Sequence, residues 1–239
     1  FILFILLGIL IFFLCKKIYS HAASAKNVFL VSILTTAWYL LHPANAETIN
    51  YVIARSDSLS TLFVVLAFVI YAYSPLSRRY YLYVIPIAIG ILAKISAIMF
   101  APILWVYILL FEKEKSFVEL MEKKNINLLF SSMKAVIPIF IFCGAAYLFV
   151  QKMESSTWSP GGTSTYLYII TQPFVIWHYF KTFFFPLWLS ADTDWTTFES
   201  ILNLKAIAGF IFVGLLLVIA IITSKKSIHR PISFGVCWF

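Results

Sequence analysis

Residues 42–60, HPANAETINYVIARSDSLS, gather polar side chains between two strongly apolar runs. The guanidinium of Arg55 can bind a phosphate group through two parallel hydrogen bonds. Glu47 and Asp57 contribute carboxylates, which are the proton-accepting groups of the stretch. Lipid does not tolerate such a mixture of charges, so we expect these side chains to line a cavity or an aqueous mouth.

The spacing within this stretch predicts a short helix. Pro43 predicts that the preceding helix ends just before it. Glu47 and Arg55 then share one helix face with four other positions, about 12 Å apart along the axis; those positions are 50, 51, 54 and 58. The polar residues of this stretch also have purely structural explanations. Arg55 can snorkel to lipid headgroups or pair with a neighbouring carboxylate, and Asp57 or Ser56 can cap the helix that follows.

Other charged residues stand in or beside apolar runs. Lys94 is a lone cation between two of them, where a lysine either reaches the interface or meets an anion. At the level of Arg55, it would complete a two-cation clamp for one phosphate. His178 lies among aromatic residues, a setting more typical of a structural histidine. Asp192 and Asp194 can bind a divalent ion or sugar hydroxyls, or be simply hydrated.

The composition predicts that membrane helices position these residues. The chain has 239 residues, of which 62% are hydrophobic and 12% charged, whereas a soluble domain is roughly half apolar and a quarter charged. The three cysteines lie in apolar runs without disulfide or metal-ligand spacing. Gly-rich phosphate loops, nucleophile elbows and His-Glu-x-x-His motifs are absent from the sequence. We therefore predict an all-α, polytopic membrane helix bundle.

Loop charges predict how the bundle is threaded through the membrane. Basic residues follow the first, third, fifth and eighth apolar runs, and the positive-inside rule places those loops, including 112–134, in the cytoplasm. Residues 42–58, the turn near Lys94 and residues 151–205 then lie outside. The eight runs are near 1–15, 28–41, 59–73, 80–93, 95–111, 135–150, 167–189 and 206–223.

The seventh run, 167–189, does not fit this alternation as a span. We expect either a re-entrant pair or a helix lying in the outer interface, where its tryptophan, tyrosine and lysine residues are typical. The alternative is that it spans and the last basic loop breaks the charge rule. Because the chain begins and stops within apolar runs, we expect one transmembrane domain over 1–239 that continues beyond both ends.

Three segments, taken in order, carry a family resemblance. HPANAETINYVIARSDSLSTLFVVLAF resembles the His-Pro…Glu…Arg-x-Asp…Leu pattern of protein O-mannosyltransferase-like membrane proteins with C-terminal tetratricopeptide repeats. ILAKISAIMFAPILWVYILLFE resembles their Leu-x-Lys-Glu span, with Ile95 in place of the glutamate. TQPFVIWHYFKTFFFPLWLSADTD resembles their Thr-Gln-Pro…Asp-x-Asp segment. The resemblance covers about residues 1–225.

The resemblance implies a GT-C type glycosyltransferase. Such an enzyme moves a mannose-like sugar from a polyprenyl-phosphate donor to a protein or glycan acceptor at the outer or lumenal face of the bilayer. It assigns the lipid phosphate to Arg55 and Lys94, and it implies a catalytic base in an outer loop before Phe1, with Glu47 and Asp57 as substitutes within this chain. The implied substrate contacts are His42, His178, Asp192 and Asp194. No cofactor is certain; a divalent cation is a candidate.

Two other function classes fit the same residues. A transporter or flippase of a lipid-linked anion would use the two cations without chemistry, and inverted repeats or broken spans would favour it. A structural membrane subunit would keep glycosylation intact after Arg55→Ala. Neither class, nor the enzyme, calls for a nucleic-acid partner. We expect a cell membrane rather than an endoplasmic reticulum.

Overall fold

A computed structural model describes residues 2–22, 27–50, 54–121, 126–153, 164–187, 189 and 196–239. Within these ranges the chain is all-helical and contains no strand, as composition predicted. The α-helices are α1 (Ile2–Ser20), α2 (Val28–Leu41), α3 (Asn45–Asn50), α4 (Arg55–Tyr73), α5 (Pro75–Arg79), α6 (Val84–Ala93), α7 (Phe100–Tyr107), α8 (Phe117–Met121), α9 (Ile126–Met153), α10 (Thr165–Phe184), α11 (Leu204–Ser224) and α12 (Arg230–Trp238).

Five helical segments are long and apolar enough to cross a membrane, which is consistent with a multi-pass membrane protein. One of them is composite, because the 3₁₀ turn Ile95–Met99, α7 and the π turn Ile108–Glu112 follow each other without a break. We call this composite segment the 95–112 span. The five segments are Ile2–Ser20, Arg55–Tyr73, Ile95–Glu112, Leu129–Met153 and Leu204–Ser224.

Local chemistry explains where several helices begin and end. His42 precedes Pro43 and is extended, with φ −68° and ψ 126°, so α2 ends there as predicted. Ser116 and Glu119 form a capping box at α8, in which each side chain accepts a hydrogen bond from the other residue's amide, both at 3.2 Å. The hydroxyl of Ser164 accepts from the Leu167 amide and caps α10.

The chain comprises two compact units, Phe1–Lys152 with Ala220–Phe239, and Met153–Ile219. In the first unit, the core is aromatic. The ring of Phe68, which is fully buried, lies 4.6 Å from that of Phe100 and 5.1 Å from that of Trp238. Phe234 packs on Phe68 from the same helix, α12. Because lipid tails are as apolar as these side chains, close packing rather than water exclusion holds such helices together.

Helix ends with basic loops meet at one end of this unit. The His21 ring after α1 lies 5.6 Å from Phe111, and the Phe117 amide donates to the Ser224 hydroxyl at the end of α11. Tyr71 near the end of α4 donates to Glu112. We call this the basic end. The loops that the charge pattern grouped together thus adjoin one another, while the side of the membrane they face stays a prediction.

The opposite end of the unit is marked by Lys94, which pairs with Asp57 near the start of α4. Asp57 and Tyr71 are separated by 14 residues of one helix, or about 21 Å. We call this the Lys94 end. The 95–112 span and α4 both begin there and both finish at the basic end.

In the second unit, α10 crosses α11 at a glycine. α10 is one continuous helix rather than a re-entrant pair, although Pro173 lies inside it. A Cβ atom added to Gly209 would lie 2.4 Å from the Phe174 nitrogen and 2.6 Å from the Pro173 carbonyl carbon. The Phe198 amide donates to the Thr171 hydroxyl at 2.9 Å and holds the chain before α11 against α10.

Gly209→Ala is expected to destabilise this crossing. The new methyl group meets backbone atoms that cannot move aside, and overpacking of this kind costs about 1–3 kcal/mol. Gly214→Ala is the matched control, since a Cβ there has nothing within 4 Å and alanine favours a helix. Thermal unfolding of the two variants in detergent measures the difference. Equal unfolding midpoints for the two variants would contradict the close approach of α11 to α10 at Gly209.

Candidate functional site

The start of α4 differs from the sequence prediction. The helix begins at Arg55, and Ala54 occupies the cap position, where its carbonyl accepts from the amides of Asp57 at 3.1 Å and Ser58 at 3.3 Å. The expectation that Asp57 or Ser56 caps this helix is therefore wrong. Asp57 lies instead in the first turn, where a carboxylate is stabilised by the positive end of the helix dipole.

The predicted single helix face carrying Glu47 and Arg55 is not formed. Glu47 belongs to α3 (Asn45–Asn50), whereas Arg55 opens α4 after a turn at Ala54. The sequence could not reveal this division, because the spacing of the intervening residues suits one helix equally well. The side chain of Glu47 lies outside the described part of the chain.

Lys94 is held at a sharp break between α6 and the 95–112 span. Its backbone is extended, with φ −157° and ψ 131°, and its amide donates to the Gly90 carbonyl at 2.9 Å. Its own carbonyl accepts from Ala97 at 3.1 Å and from the Ser60 hydroxyl at 3.4 Å. The Ser60 contact holds this break against α4 and fixes the position of Lys94 along that helix.

The Lys94 ammonium forms an ion pair with the Asp57 carboxylate. The two side chains are 46% and 45% exposed, so the pair stands at the surface of the unit rather than in its core. Of the two explanations for Lys94, the structure favours contact with an anion, and this anion is part of the chain. Screening by solvent keeps such a pair weak and exchangeable.

Arg55 adds a second cation at the same end. It is exposed at the first position of α4, two residues before Asp57, so the two side chains leave the helix on different sides. The N-termini of α4 and of the 95–112 span also lie at this end, and helix N-termini carry partial positive charge. Arg55, Lys94 and these two termini together suit an anion such as a phosphate.

The histidines named from the sequence belong to elements other than those that carry the ion pair. His42 is buried beside the end of α2, where its Nδ1 atom accepts from the Ala44 amide at 3.2 Å and its ring lies 5.9 Å from that of Trp38. His178 is half-buried in α10 of the second unit, with its ring 6.1 Å from that of Tyr179.

The candidate acidic pair, Asp192 and Asp194, lies outside the described residues. Among the residues that are described, no group of three or more histidines, cysteines, aspartates or glutamates could hold a metal ion. A divalent cation therefore stays a prediction tied to those two aspartates.

A polar cluster that the sequence did not suggest lies at the basic end. Arg78 Nη1 pairs with Glu112 Oε1 at 2.6 Å, its Nε donates to the Tyr71 carbonyl at 2.5 Å, and its guanidinium carbon lies 4.4 Å from the centre of the Tyr71 ring. The Tyr71 hydroxyl donates to Glu112 Oε2 at 3.2 Å. Because these contacts occupy the guanidinium, Arg78 acts as a tie between α4 and the 95–112 span.

Only tertiary packing could identify this cluster. Arg78 and Glu112 are far apart in the sequence and are typical loop charges beside apolar runs. The π turn decides where Glu112 points: the Lys113 amide donates to the Ile108 carbonyl at 2.8 Å, five residues back, and this widens the last turn of the span.

The chain has no match among protein-family models, curated proteins or solved structures. Its geometry and sequence are therefore the whole basis for a functional proposal.

Arg78→Ala is expected to lower the free energy of unfolding by about 1–2 kcal/mol, because it removes the ion-pair partner of Glu112 and the guanidinium donor to the last carbonyls of α4. Arg79→Ala is the control: Arg79 is the exposed neighbour and keeps the net charge change equal. Denaturation in mild detergent measures both. Equal stabilities for the two variants would remove Arg78 from its role as a tie.

His21 predicts a pH dependence of stability. Burial, followed by the nearby charge of Lys17, lowers the pKa of His21 below its usual value of 6.5. As the pH falls, the imidazole of His21 is therefore protonated more readily in the unfolded chain than in the folded chain. The free energy of unfolding then decreases below about pH 6.5 and is unaffected above it. His21→Phe keeps a ring against Phe111 and should reduce this decrease between pH 7 and 5 when the free energy of unfolding is measured against pH. An unchanged slope in the variant would assign the pH dependence to other groups.

Proposed function

We propose that this chain forms the donor-binding part of a membrane glycosyltransferase of GT-C type, with an outer or lumenal site. The enzyme would move a mannose-like sugar from a polyprenyl-phosphate donor to a protein or glycan acceptor. One observation carries the proposal: an exchangeable Lys94–Asp57 ion pair stands where two candidate spans begin, beside the exposed Arg55. The phosphate of a lipid carrier lies at this level of a bilayer, and its tail lies between spans.

The first step of the mechanism is an exchange of anions. The lipid phosphate takes the place of the Asp57 carboxylate on Lys94, so the ammonium keeps an anionic partner throughout. Arg55 can then bind the same phosphate through two parallel hydrogen bonds. The driving force is modest, because one charged contact replaces another, but the phosphate gains the second cation and the two helix N-termini.

The second step is transfer of the sugar. The acceptor hydroxyl attacks the anomeric carbon, the bond from that carbon to the phosphate oxygen breaks, and the electron pair stays on the lipid phosphate. The two cations stabilise this leaving group. A carboxylate accepts the proton of the attacking hydroxyl. Within this chain, Asp57 is released from Lys94 by the exchange and is the candidate at the site, with Glu47 second.

Other parts of the proposal rest on the sequence. His178, Asp192 and Asp194 are the proposed sugar contacts, with a divalent cation as a candidate at the two aspartates. His42 is the remaining proposed contact, and its Nδ1 atom accepts a hydrogen bond from the Ala44 amide. The proposed location is a cell membrane.

Arg55→Ala and Lys94→Ala are each expected to reduce labelling of the full-length protein by a photoactivatable polyprenyl phosphate by about tenfold or more, because a hydrogen bond to a charged group contributes about 1.5–3 kcal/mol. The matching polyprenol, which lacks the phosphate, should label all variants equally. Arg79→Ala and Lys152→Ala are controls that remove one exposed cation elsewhere.

Transfer of radiolabelled mannose from mannosyl polyprenyl phosphate into the protein and glycan fractions of the same membranes separates the enzyme from its rivals. We expect transfer to fall with labelling in the two variants and not in the controls. Phosphate-dependent labelling without any transfer would favour a transporter or flippase. Unchanged labelling in both variants would overturn the proposed site.

A further inference from the structure

The surface of α10 is divided into a polar and an apolar stripe. At three- and four-residue spacing, one side carries polar residues interrupted only by Val175: Tyr168, Thr171, His178 and Thr182. The opposite side carries Ile169, Pro173, Ile176, Phe180 and Phe184. Lys181 stands on the border between the stripes. A helix divided in this way is suited to a boundary between water and an apolar medium.

Composition sets α10 apart from the five candidate spans. It has 20 residues, enough to cross a bilayer, but it is not among the helices apolar enough to do so. Its exposed apolar residues nevertheless need a non-aqueous neighbour, since Ile169 is 58% exposed and Phe184 50% exposed. Tyr166 and Tyr179 are also exposed, and tyrosine is typical of the headgroup region.

The depth of α10 follows from where it meets α11. Gly209 approaches the Pro173 backbone, and the Phe180 ring lies 5.1 Å from that of Phe212. These contacts fall five and eight residues after Leu204, or about 8 and 12 Å along the α11 axis. Amphipathic helices bury their apolar face about 5–10 Å into the boundary between headgroups and acyl chains.

We propose that α10 is a lipid-binding surface that lies along the membrane interface. Its exposed apolar residues, among them Ile169 and Phe184, contact acyl chains, and Lys181 reaches lipid phosphates. This inference does not depend on the proposed glycosyl transfer, because it concerns where the helix sits and not what the site at Lys94 does.

Paired cysteines test the proposal in the full-length protein in sealed membrane vesicles of both orientations. Cys15, Cys143 and Cys237 are first replaced by alanine. Single cysteines are then placed at polar positions, Tyr168→Cys and Thr182→Cys, and at apolar positions, Ile169→Cys and Phe184→Cys. The rate of reaction with a membrane-impermeant maleimide is measured for each, and reaction in denaturing detergent confirms that every cysteine is present and competent.

We expect Tyr168→Cys and Thr182→Cys to react from the same side of the membrane. Ile169→Cys and Phe184→Cys should react at least about tenfold more slowly, because an apolar setting suppresses the reactive thiolate. Reaction of the two polar-stripe cysteines from opposite sides would show a transmembrane helix and overturn the proposal. Equal rates at all four positions would show a helix outside the lipid and would overturn it as well.

Discussion

Backbone amides and carbonyls cannot be left unpaired in hydrocarbon, so each membrane segment must satisfy its hydrogen bonds within itself. In this chain the consequence is an all-helical fold over the described residues, with the ion pairs Lys94–Asp57 and Arg78–Glu112 placed where helices begin, end or change type. Lys94 stands at a break between helices, and Glu112 closes a π turn. The first unit therefore carries one of these ion pairs at each of its two ends.

The two ends use charge differently. At the basic end, Arg78 is bound by a carboxylate, a backbone carbonyl and an aromatic ring, and such a set of contacts resists exchange. At the Lys94 end, one half-exposed carboxylate holds one half-exposed ammonium, and Arg55 stands exposed nearby. A rigid basic end and an exchangeable opposite end suit a protein that anchors its helices on one side of a membrane and binds an anion on the other.

Close approach of backbones complements these polar ties. At Gly90, an added Cβ would lie 3.3 Å from the Phe63 Cβ atom, so α6 packs tightly on α4 just below Lys94. At Gly209 the approach is closer still, and it sets where α10 meets α11. In both cases a residue without a side chain positions a polar element: the break that carries Lys94, and the helix that carries His178.

The sequence by itself determined the helical class, the end of α2 just before Pro43 and the grouping of basic loops, because composition, proline geometry and loop charge act locally. It also singled out Lys94 as a cation that either reaches the interface or meets an anion. It missed that Glu47 and Arg55 belong to different helices, α3 and α4, since their spacing suits a single helix. Only the tertiary structure decided that Asp57 is the partner of Lys94 and Glu112 that of Arg78. Both pairs join residues distant in sequence, and such contacts depend on the packing of whole helices, which no local pattern records.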